Sequence, residues 1–423
     1  MYEEAAPVAS VLLRPHRKTT CWACLRPLPP ARLACGACAL ARYCSARCRA
    51  QHSLKHACEC GAPWPALLPA RAVLAARLAR FQAAEEAAGR PARHLQHHLG
   101  ALAGAEALPR AAAACLAAAC SGLMPGRVLE ALCAVDANAL AVVPPLYSRP
   151  EQRLALAVYG ISSLLNHACA PSVGLRFRGG ALTVRALRAH APGDRLRHCY
   201  GPQAGEHTLL QRQQLLGSEY HFDCRCAACV DGGAAERDAA LVGLRCSDCG
   251  GAVPPWCALP AGRCSLHRLP GALPGGGACS SCGRRMRPGE QAATLRELQA
   301  ADKRFQSAIS GSRVEDSLRD IDACLKVQQR ALFERNQVLG RTLAARADLL
   351  ATAGRQAEAA QAAGRAAAVV AAAFGEGAVQ TALARRDLAG LLARTNTAAA
   401  AELARRAAQV LRVHLGDAEP EAS

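Results

Sequence analysis

Residues 21–60 read CWACLRPLPPARLACGACALARYCSARCRAQHSLKHACEC. Potential metal ligands recur in this segment in closely spaced pairs, namely Cys21/Cys24, Cys35/Cys38, Cys44/Cys48 and His56/Cys60. Zn²⁺ takes four sulfur or nitrogen ligands in a tetrahedron, and a gap of two residues lets one tight turn present two of them. Eight such ligands predict two zinc sites. We call residues 21–60 the finger.

We expect the two sites of the finger to be interleaved. The predicted ligand sets are Cys21, Cys24, Cys44 and Cys48 for the first ion, and Cys35, Cys38, His56 and Cys60 for the second. His52 is an alternative to His56, but the gaps to Cys48 and Cys60 favour His56, and Cys58 is left over. A segment of about 40 residues has too small a core to fold alone, so the metal would supply most of its stability.

Composition restricts the class of protein. The chain has 423 residues and 23 cysteines, enough for two to four domains. It contains no apolar run of membrane-spanning length, and its start does not resemble a secretory signal. We therefore expect an intracellular protein, in the cytoplasm and/or nucleus, whose cysteines bind metal and form no disulfides.

The formal charge of +18 comes almost entirely from arginine. With 4% aromatic residues, it favours solvated helices over a nucleic-acid surface.

Periodicity divides the remaining chain. Residues 66–135 favour short helices, whereas residues 151–223 alternate apolar and polar side chains around Gly179-Gly180 and Pro192-Gly193, which predicts short strands. From about residue 291 the pattern predicts long helices. Similar segments begin at Leu349 and Leu391, which favours paired-helix repeats of the tetratricopeptide kind. A generic alanine-rich bundle is the alternative.

Three further motifs follow the finger: SLLNHACAP at residues 163–171, HCYGP at residues 198–202 and YHFDCRCAAC at residues 220–229. In the last motif Cys224, Cys226 and Cys229 offer three thiolates at metal-ligand spacing. Cys169 is the natural fourth donor, with a buried free thiol as the alternative. These residues predict a third zinc site.

Two more cysteine pairs, Cys246/Cys249 and Cys279/Cys282, resemble the knuckles of a zinc ribbon. Four thiolates leave no open coordination position, so this site would be structural. Cys257 and Cys264 keep other ligand sets open. We expect three to four zinc ions in all.

The finger resembles a MYND finger. SLLNHACAP looks like the asparagine-histidine motif of SET domains, HCYGP like the stretch carrying their catalytic tyrosine, and YHFDCRCAAC like the post-SET motif. The order of these motifs resembles the SET and MYND domain-containing (SMYD) family over residues 8–230. The resemblance implies an α+β multidomain fold with a small β-rich SET core. The expected domains are a residual SET strand (1–20), the MYND finger (21–60), a helical insert (61–150), the SET core (151–223), a post-SET and zinc-ribbon-like region (224–290) and a helical tetratricopeptide-like domain (291–423).

The resemblance also implies a chemistry, S-adenosylmethionine-dependent methylation of a protein lysine. Tyr200 would be the catalytic tyrosine. The implied cofactor-binding residues are Asn138, Asn166, His167, Tyr200 and Phe222, and the implied walls of the lysine channel are Tyr220 and Phe222. Expected partners are a protein with a target lysine and proline-containing peptides at the finger, with no membrane and no nucleic acid.

The chain departs from the family pattern at two points. The glycine-rich strand that precedes the finger in the family is not found, and residues 2–13 look like only the last strand of that half-domain. Ser172 stands where the family has an asparagine. We therefore expect cofactor binding, and with it methyl transfer, to be impaired. The alternative function is a non-catalytic scaffold in which the finger and the helical repeats bind other proteins.

Overall fold

The computed structural model describes residues 1–90, 95–101, 107–143, 153–231, 233–254 and 277–416. The fold is mixed α/β with a helical C-terminal region, as the sequence predicts. The strands are β1 (Tyr2–Glu4), β2 (Ala9–Leu12), β3 (Leu33–Ala34), β4 (Arg42–Tyr43), β5 (Leu140–Val142), β6 (Ala155–Val158), β7 (Asn166–His167), β8 (Val173–Arg178), β9 (Ala181–Ala186), β10 (Arg197–His198), β11 (Leu244–Arg245) and β12 (Ala252–Val253).

Helices occupy most of the remaining described chain. They are α1 (Ala46–Ala57), α2 (Trp64–Leu67), α3 (Ala70–Ala87), α4 (Ala107–Ser121), α5 (Pro125–Asn138), α6 (Leu209–Tyr220), α7 (Ala227–Val230), α8 (Ala234–Val242), α9 (Pro288–Ser310), α10 (Val314–Ala331), α11 (Gln337–Thr352), α12 (Gln356–Phe374), α13 (Val379–Leu392) and α14 (Thr397–Leu415). None of them combines the length and the hydropathy needed to cross a membrane.

The chain divides into two compact units. The first comprises Met1–Asn166, Ser172–His198 and Gly217–His221, and the second His167–Pro171, Cys199–Leu216 and Phe222–Ser423. The polypeptide therefore passes between units several times within the segment predicted to form one core.

Two small antiparallel sheets organise the first unit. One has the strand order β1-β9-β8 and the other β2-β6-β5. Residues 1–20 thus supply two strands where one was expected, because β1 pairs with β9 while β2 pairs with β6. β2 packs against α3, and α3 packs against α5, so that Val11, Leu74, Leu78 and Val128 belong to one apolar core.

The finger is fixed to this unit at two places. The turn between β8 and β9 lies against its first knuckle: the Gly180 amide donates to the Cys24 carbonyl at 2.7 Å, and a Cβ at Gly179 would lie 2.3 Å from the same oxygen. At its other end, the Arg77 guanidinium of α3 makes a bidentate pair with Glu59, with N–O distances of 2.8 and 2.6 Å. Glu59 is buried, so this contact is shielded from solvent.

Helices α9–α14 build the C-terminal part of the second unit, and each packs against the next in sequence. The two similar segments noted in the sequence begin at the ends of α11 and α13 and run through α12 and α14. Their second helices end at Gly375 and Gly416, whose φ angles are +86° and +79°. Glycine adopts this left-handed conformation without the steric cost of a Cβ. The helical C-terminal region is therefore confirmed, whereas the tetratricopeptide-like repeat stays a prediction.

Candidate metal centres and active site

The structure brings the finger ligands together in the interleaved arrangement. Ligand atoms of Cys21, Cys24, Cys44 and Cys48 lie within 4.8 Å of one another, and so do those of Cys35, Cys38, His56 and Cys60. Helix α1 contributes to both groups, because Cys48 stands in its first turn and His56 in its last. Ser45 caps this helix by accepting from the Cys48 amide at 3.2 Å. The cap holds the turn between Cys44 and Cys48, whose sulfurs are 3.5 Å apart.

His52 and Cys58 stand outside these groups. The His52 Nδ1 lies 3.1 Å from the Tyr43 hydroxyl, whereas the His56 Nε2 lies 3.4 Å from the Cys38 sulfur. Burial lowers the pKa of His52 to about 4, which keeps its ring neutral beside the finger. Cys58 is exposed. The geometry thus separates the two histidines that the sequence left as alternatives.

The third cluster is buried throughout. It joins Cys169 with Cys224, Cys226 and Cys229, and its four residues are between 0% and 9% exposed. The Gln213 side chain holds Cys224 in place, since its amide nitrogen donates to the Cys224 carbonyl at 2.7 Å while its oxygen accepts from the Cys224 amide at 2.8 Å. All of these residues belong to the second unit. We call this cluster the third centre.

The fourth cluster, Cys246, Cys249, Cys279 and Cys282, has two buried and two exposed ligands. Its two knuckles repeat one geometry: the Gly250 amide donates to the Cys246 carbonyl at 2.9 Å, and the Gly283 amide donates to the Cys279 carbonyl at 3.0 Å. The alternative ligands Cys257 and Cys264 lie outside the described residues. The cluster packs into the core formed by α9, α10 and α11.

The sulfur separations test whether zinc fits. A Zn–S bond of about 2.3 Å in a tetrahedron requires sulfurs about 3.8 Å apart. Sulfur pairs in each cluster meet this requirement, with separations of 3.6 Å for Cys24–Cys44, 3.6 Å for Cys35–Cys60, 3.7 Å for Cys226–Cys229 and 3.7 Å for Cys246–Cys282. A disulfide would need about 2.0 Å, and the cysteines of the described residues are free. The four clusters could therefore each hold a zinc ion.

Aromatic rings adjoin the third centre. Ring centroids of His167 and Tyr200 are 5.1 Å apart, those of His167 and Phe222 are 6.0 Å apart, and those of Tyr200 and Phe222 are 6.4 Å apart at an interplanar angle of 85°. Tyr200 and Phe222 are half-buried, and His167 is buried. Burial lowers the pKa of His167 to about 4. Three residues predicted for the cofactor site thus form one cluster within the second unit.

The other predicted residues belong to the first unit. Asn138 ends α5, and its side-chain nitrogen donates to the carbonyls of Gln96 and Ala134 at 2.6 and 2.8 Å. Asn166 is exposed, with no side-chain hydrogen bond among the described residues. Tyr220 is half-buried at the end of α6. Ser172 is buried, and its hydroxyl accepts from the Arg197 amide at 3.1 Å.

Sequence reasoning missed Arg212, which is 2% exposed. Its guanidinium donates to the carbonyls of His207 and Ala228 at 2.6 and 3.1 Å, and one nitrogen lies 4.0 Å from the Cys229 sulfur. A signal was available: Thr208, Arg212 and Leu216 are spaced four residues apart, and all three are buried. That spacing marks the inward face of a helix.

Comparisons with known proteins identify relatives of this chain. No protein-family model matches it. Protein-lysine N-methyltransferase SMYD4 of Mus musculus is 47% identical over 77 residues, which cover 18% of this chain and 10% of that protein. SMYD4 of Homo sapiens is 40% identical over 79 residues, covering 19% and 10%. Histone-lysine N-methyltransferase SMYD3 of Mus musculus is 35% identical over 78 residues, covering 18% of each chain.

The matches are short: they span about a tenth of the SMYD4 relatives and less than a fifth of SMYD3. SMYD4, SMYD3 and a SET and MYND domain-containing protein recur among the matched relatives. These names agree with the resemblance that the motifs indicate. The chain is therefore similar over these segments to SET and MYND domain-containing proteins, SMYD4 and SMYD3 among them.

Proposed function

We propose that this chain is an S-adenosylmethionine-dependent protein-lysine N-methyltransferase of the SET class in which Tyr200 is the catalytic tyrosine. The observation that carries the proposal is the cluster of His167, Tyr200 and Phe222 beside the third centre. The relatives named protein-lysine N-methyltransferases support the reaction class. We further propose that Asn166, His167, Phe222 and the Asn138 oxygen hold the cofactor, and that Tyr220 and Phe222 wall the lysine channel.

When bound, S-adenosylmethionine would supply a methyl group on a positively charged sulfur. The chain's own residues would prepare the acceptor. A lysine amine has an unperturbed pKa of about 10.4, so it must lose a proton before it can attack. The half-buried rings of Tyr200 and Phe222 form an apolar surface, and desolvation there would favour the neutral amine.

The Tyr200 backbone is fixed, because its amide donates to the His167 Nδ1 at 3.0 Å. A tyrosine hydroxyl on such a fixed backbone can orient the amine without reorganising during the reaction. Positioning and preorganised hydrogen bonds of this kind supply much of the acceleration in many enzymes. Zinc in the third centre would be structural, since four thiolates leave no open coordination position.

The test is methyl transfer from radiolabelled S-adenosylmethionine to a protein extract. Tyr200→Phe removes one hydroxyl and keeps the ring, so we expect a loss of about 100-fold or more while the fold persists. Tyr159→Phe is the matched control: the Tyr159 hydroxyl donates to the Gly180 carbonyl at 2.9 Å in the first unit. Its loss should lower stability by about 1 kcal/mol and leave methyl transfer unchanged. Undiminished transfer by Tyr200→Phe would show that the catalytic tyrosine is misplaced, with Tyr220 as the next candidate.

A second candidate function is a non-catalytic interaction scaffold. The observation that favours it is the Asn138 amide, whose donors are committed to carbonyls of the chain. In that case the finger would bind proline-containing peptides, and helices α9–α14, proposed to be tetratricopeptide-like, would bind other protein segments. Calorimetric titration with S-adenosylmethionine separates the two functions, because a scaffold would show no binding. Free thiolate ligands fit a reducing, intracellular compartment under either function.

A further inference from the structure

The imidazole of His167 contacts two groups that lie in different parts of the structure, the Tyr200 backbone and the Cys169 sulfur. Its Nδ1 lies 3.0 Å from the Tyr200 amide nitrogen, and its Nε2 lies 3.3 Å from the Cys169 sulfur. A backbone amide can only donate, so Nδ1 must be the acceptor and carry no proton. In a neutral ring the proton then sits on Nε2, directed at the sulfur.

The sulfur is a suitable acceptor. A zinc-bound thiolate carries negative charge, and the third centre is shielded from water on all four ligands. Ligands of a metal are commonly oriented by hydrogen bonds from outside the coordination sphere, and such bonds affect metal affinity. An N–H from His167 would stabilise the charge on Cys169 and fix the orientation of the ring at the same time.

We propose that the His167 side chain is a positioning residue that couples the third centre to Tyr200. Two hydrogen bonds of the ring link the Cys169 sulfur to the Tyr200 backbone, so a shift of one group changes the position of the other. This assigns the side chain a role distinct from holding the cofactor. Its effect on catalysis rests on the proposed function, whereas the coupling itself does not.

Two substitutions separate the two bonds. Asparagine places an amide atom near the Nδ1 position, so His167→Asn can still accept from the Tyr200 amide but cannot reach Cys169. Glutamine reaches the Nε2 position, so His167→Gln can still donate to Cys169 but loses the acceptor for Tyr200. We expect His167→Asn to release one zinc ion at a 10- to 100-fold lower chelator concentration, on the order of the effect of outer hydrogen bonds on metal affinity. His167→Gln should retain zinc as the unaltered chain does.

The second readout is the amide of Tyr200 itself. With ¹⁵N-tyrosine labelling the chain gives six amide signals at most, and Tyr200→Phe identifies the signal of Tyr200. We expect His167→Gln to move that signal and to speed its hydrogen exchange, whereas His167→Asn leaves it close to its original position. His52 offers a matched control, since it also contacts a tyrosine and lies beside a zinc cluster. His52→Gln should change neither the Tyr200 signal nor the third centre.

One measurement uses the unaltered chain and therefore does not depend on a variant folding correctly. The imidazole ¹⁵N shifts of His167 in the unaltered chain should show a single tautomer with its proton on Nε2, and a proton on Nδ1 would overturn the proposal. So would a Tyr200 amide that stays unchanged in His167→Gln. None of these readouts requires methyl transfer, so they test the coupling whether or not the chain is active. If the chain is active, His167→Gln should lower kcat more than it changes KM.

Discussion

At the scale of single residues, the third centre poses an electrostatic problem. A zinc ion with four thiolates carries a net charge of −2, and here all four ligands are buried. Burying charge without compensation is costly. Arg212 lies within 4.0 Å of the Cys229 sulfur and is itself buried, and Asp238 lies 3.9 Å from its guanidinium. The fourth cluster has two exposed ligands, so water can compensate its charge.

We therefore predict that Arg212→Met weakens zinc binding at the third centre by about 10- to 100-fold. Loss of the positive charge raises the energy of the thiolates, and a competition series with a chelator measures the change. Arg212→Met alone leaves the buried Asp238 carboxylate without its arginine partner. Adding Asp238→Asn removes that charge, so the double variant should regain stability but not zinc affinity. Arg237→Met is the control, because Arg237 forms an exposed pair with Asp231. Unchanged zinc release from Arg212→Met would show that its charge plays no part.

The residue scale also shows where sequence reasoning stops. Ligands such as Cys21 and His56 could be assigned because chain spacing alone limits which of them can share an ion. The roles of Arg212 and of the His167 ring depend on distances between segments far apart in sequence. Spacing carries no information on such distances, so only the structure locates these contacts.

At the scale of elements, the finger depends on metal more than on its core. Its strands β3 and β4 have two residues each, and its buried apolar centre is small, with Ala41 and Tyr43 as the non-ligand members. Secondary structure this short is not stable alone. The zinc ligands must supply what the core does not.

We predict that Cys44→Ser unfolds the finger, because a structural zinc contributes on the order of 10 kcal/mol to folding such a segment. Limited proteolysis should then cut within residues 21–60, while the second unit keeps the zinc of its two clusters. Cys58→Ser is the matched control, since Cys58 is exposed and outside both ligand sets. A finger that resists the protease in Cys44→Ser would contradict the ligand assignment.

Element type could be predicted well where one period persists. Helices α9–α14 follow long apolar repeats, and the turn at Gly179-Gly180 joins β8 and β9 as expected. The N-terminal strands were harder to predict. Residues 2–13 form two strands in different sheets, and a segment this short lacks the alternation that would reveal the division. Tertiary pairing, not local preference, decides that arrangement.

At the scale of the whole molecule, candidate metal sites recur in both units. The first unit holds the two clusters of the finger, and the second holds the third centre and the fourth cluster. The second unit also contains the His167–Tyr200–Phe222 cluster, so the proposed catalytic tyrosine and a zinc site share one compact body. Sequence reasoning could group the ligands of each cluster, whereas the SET core over residues 151–223 stays a prediction. The chain's repeated passage between units depends on long-range contacts that composition does not record.

The four ligand clusters are expected to bind four separate zinc ions. Native mass spectrometry of the purified chain counts bound ions directly, because each zinc adds a fixed mass. We predict four zinc ions per chain, three in Cys224→Ser, and four in the exposed control Cys58→Ser. Two or fewer ions in the unaltered chain, or the same count with and without Cys224, would contradict it.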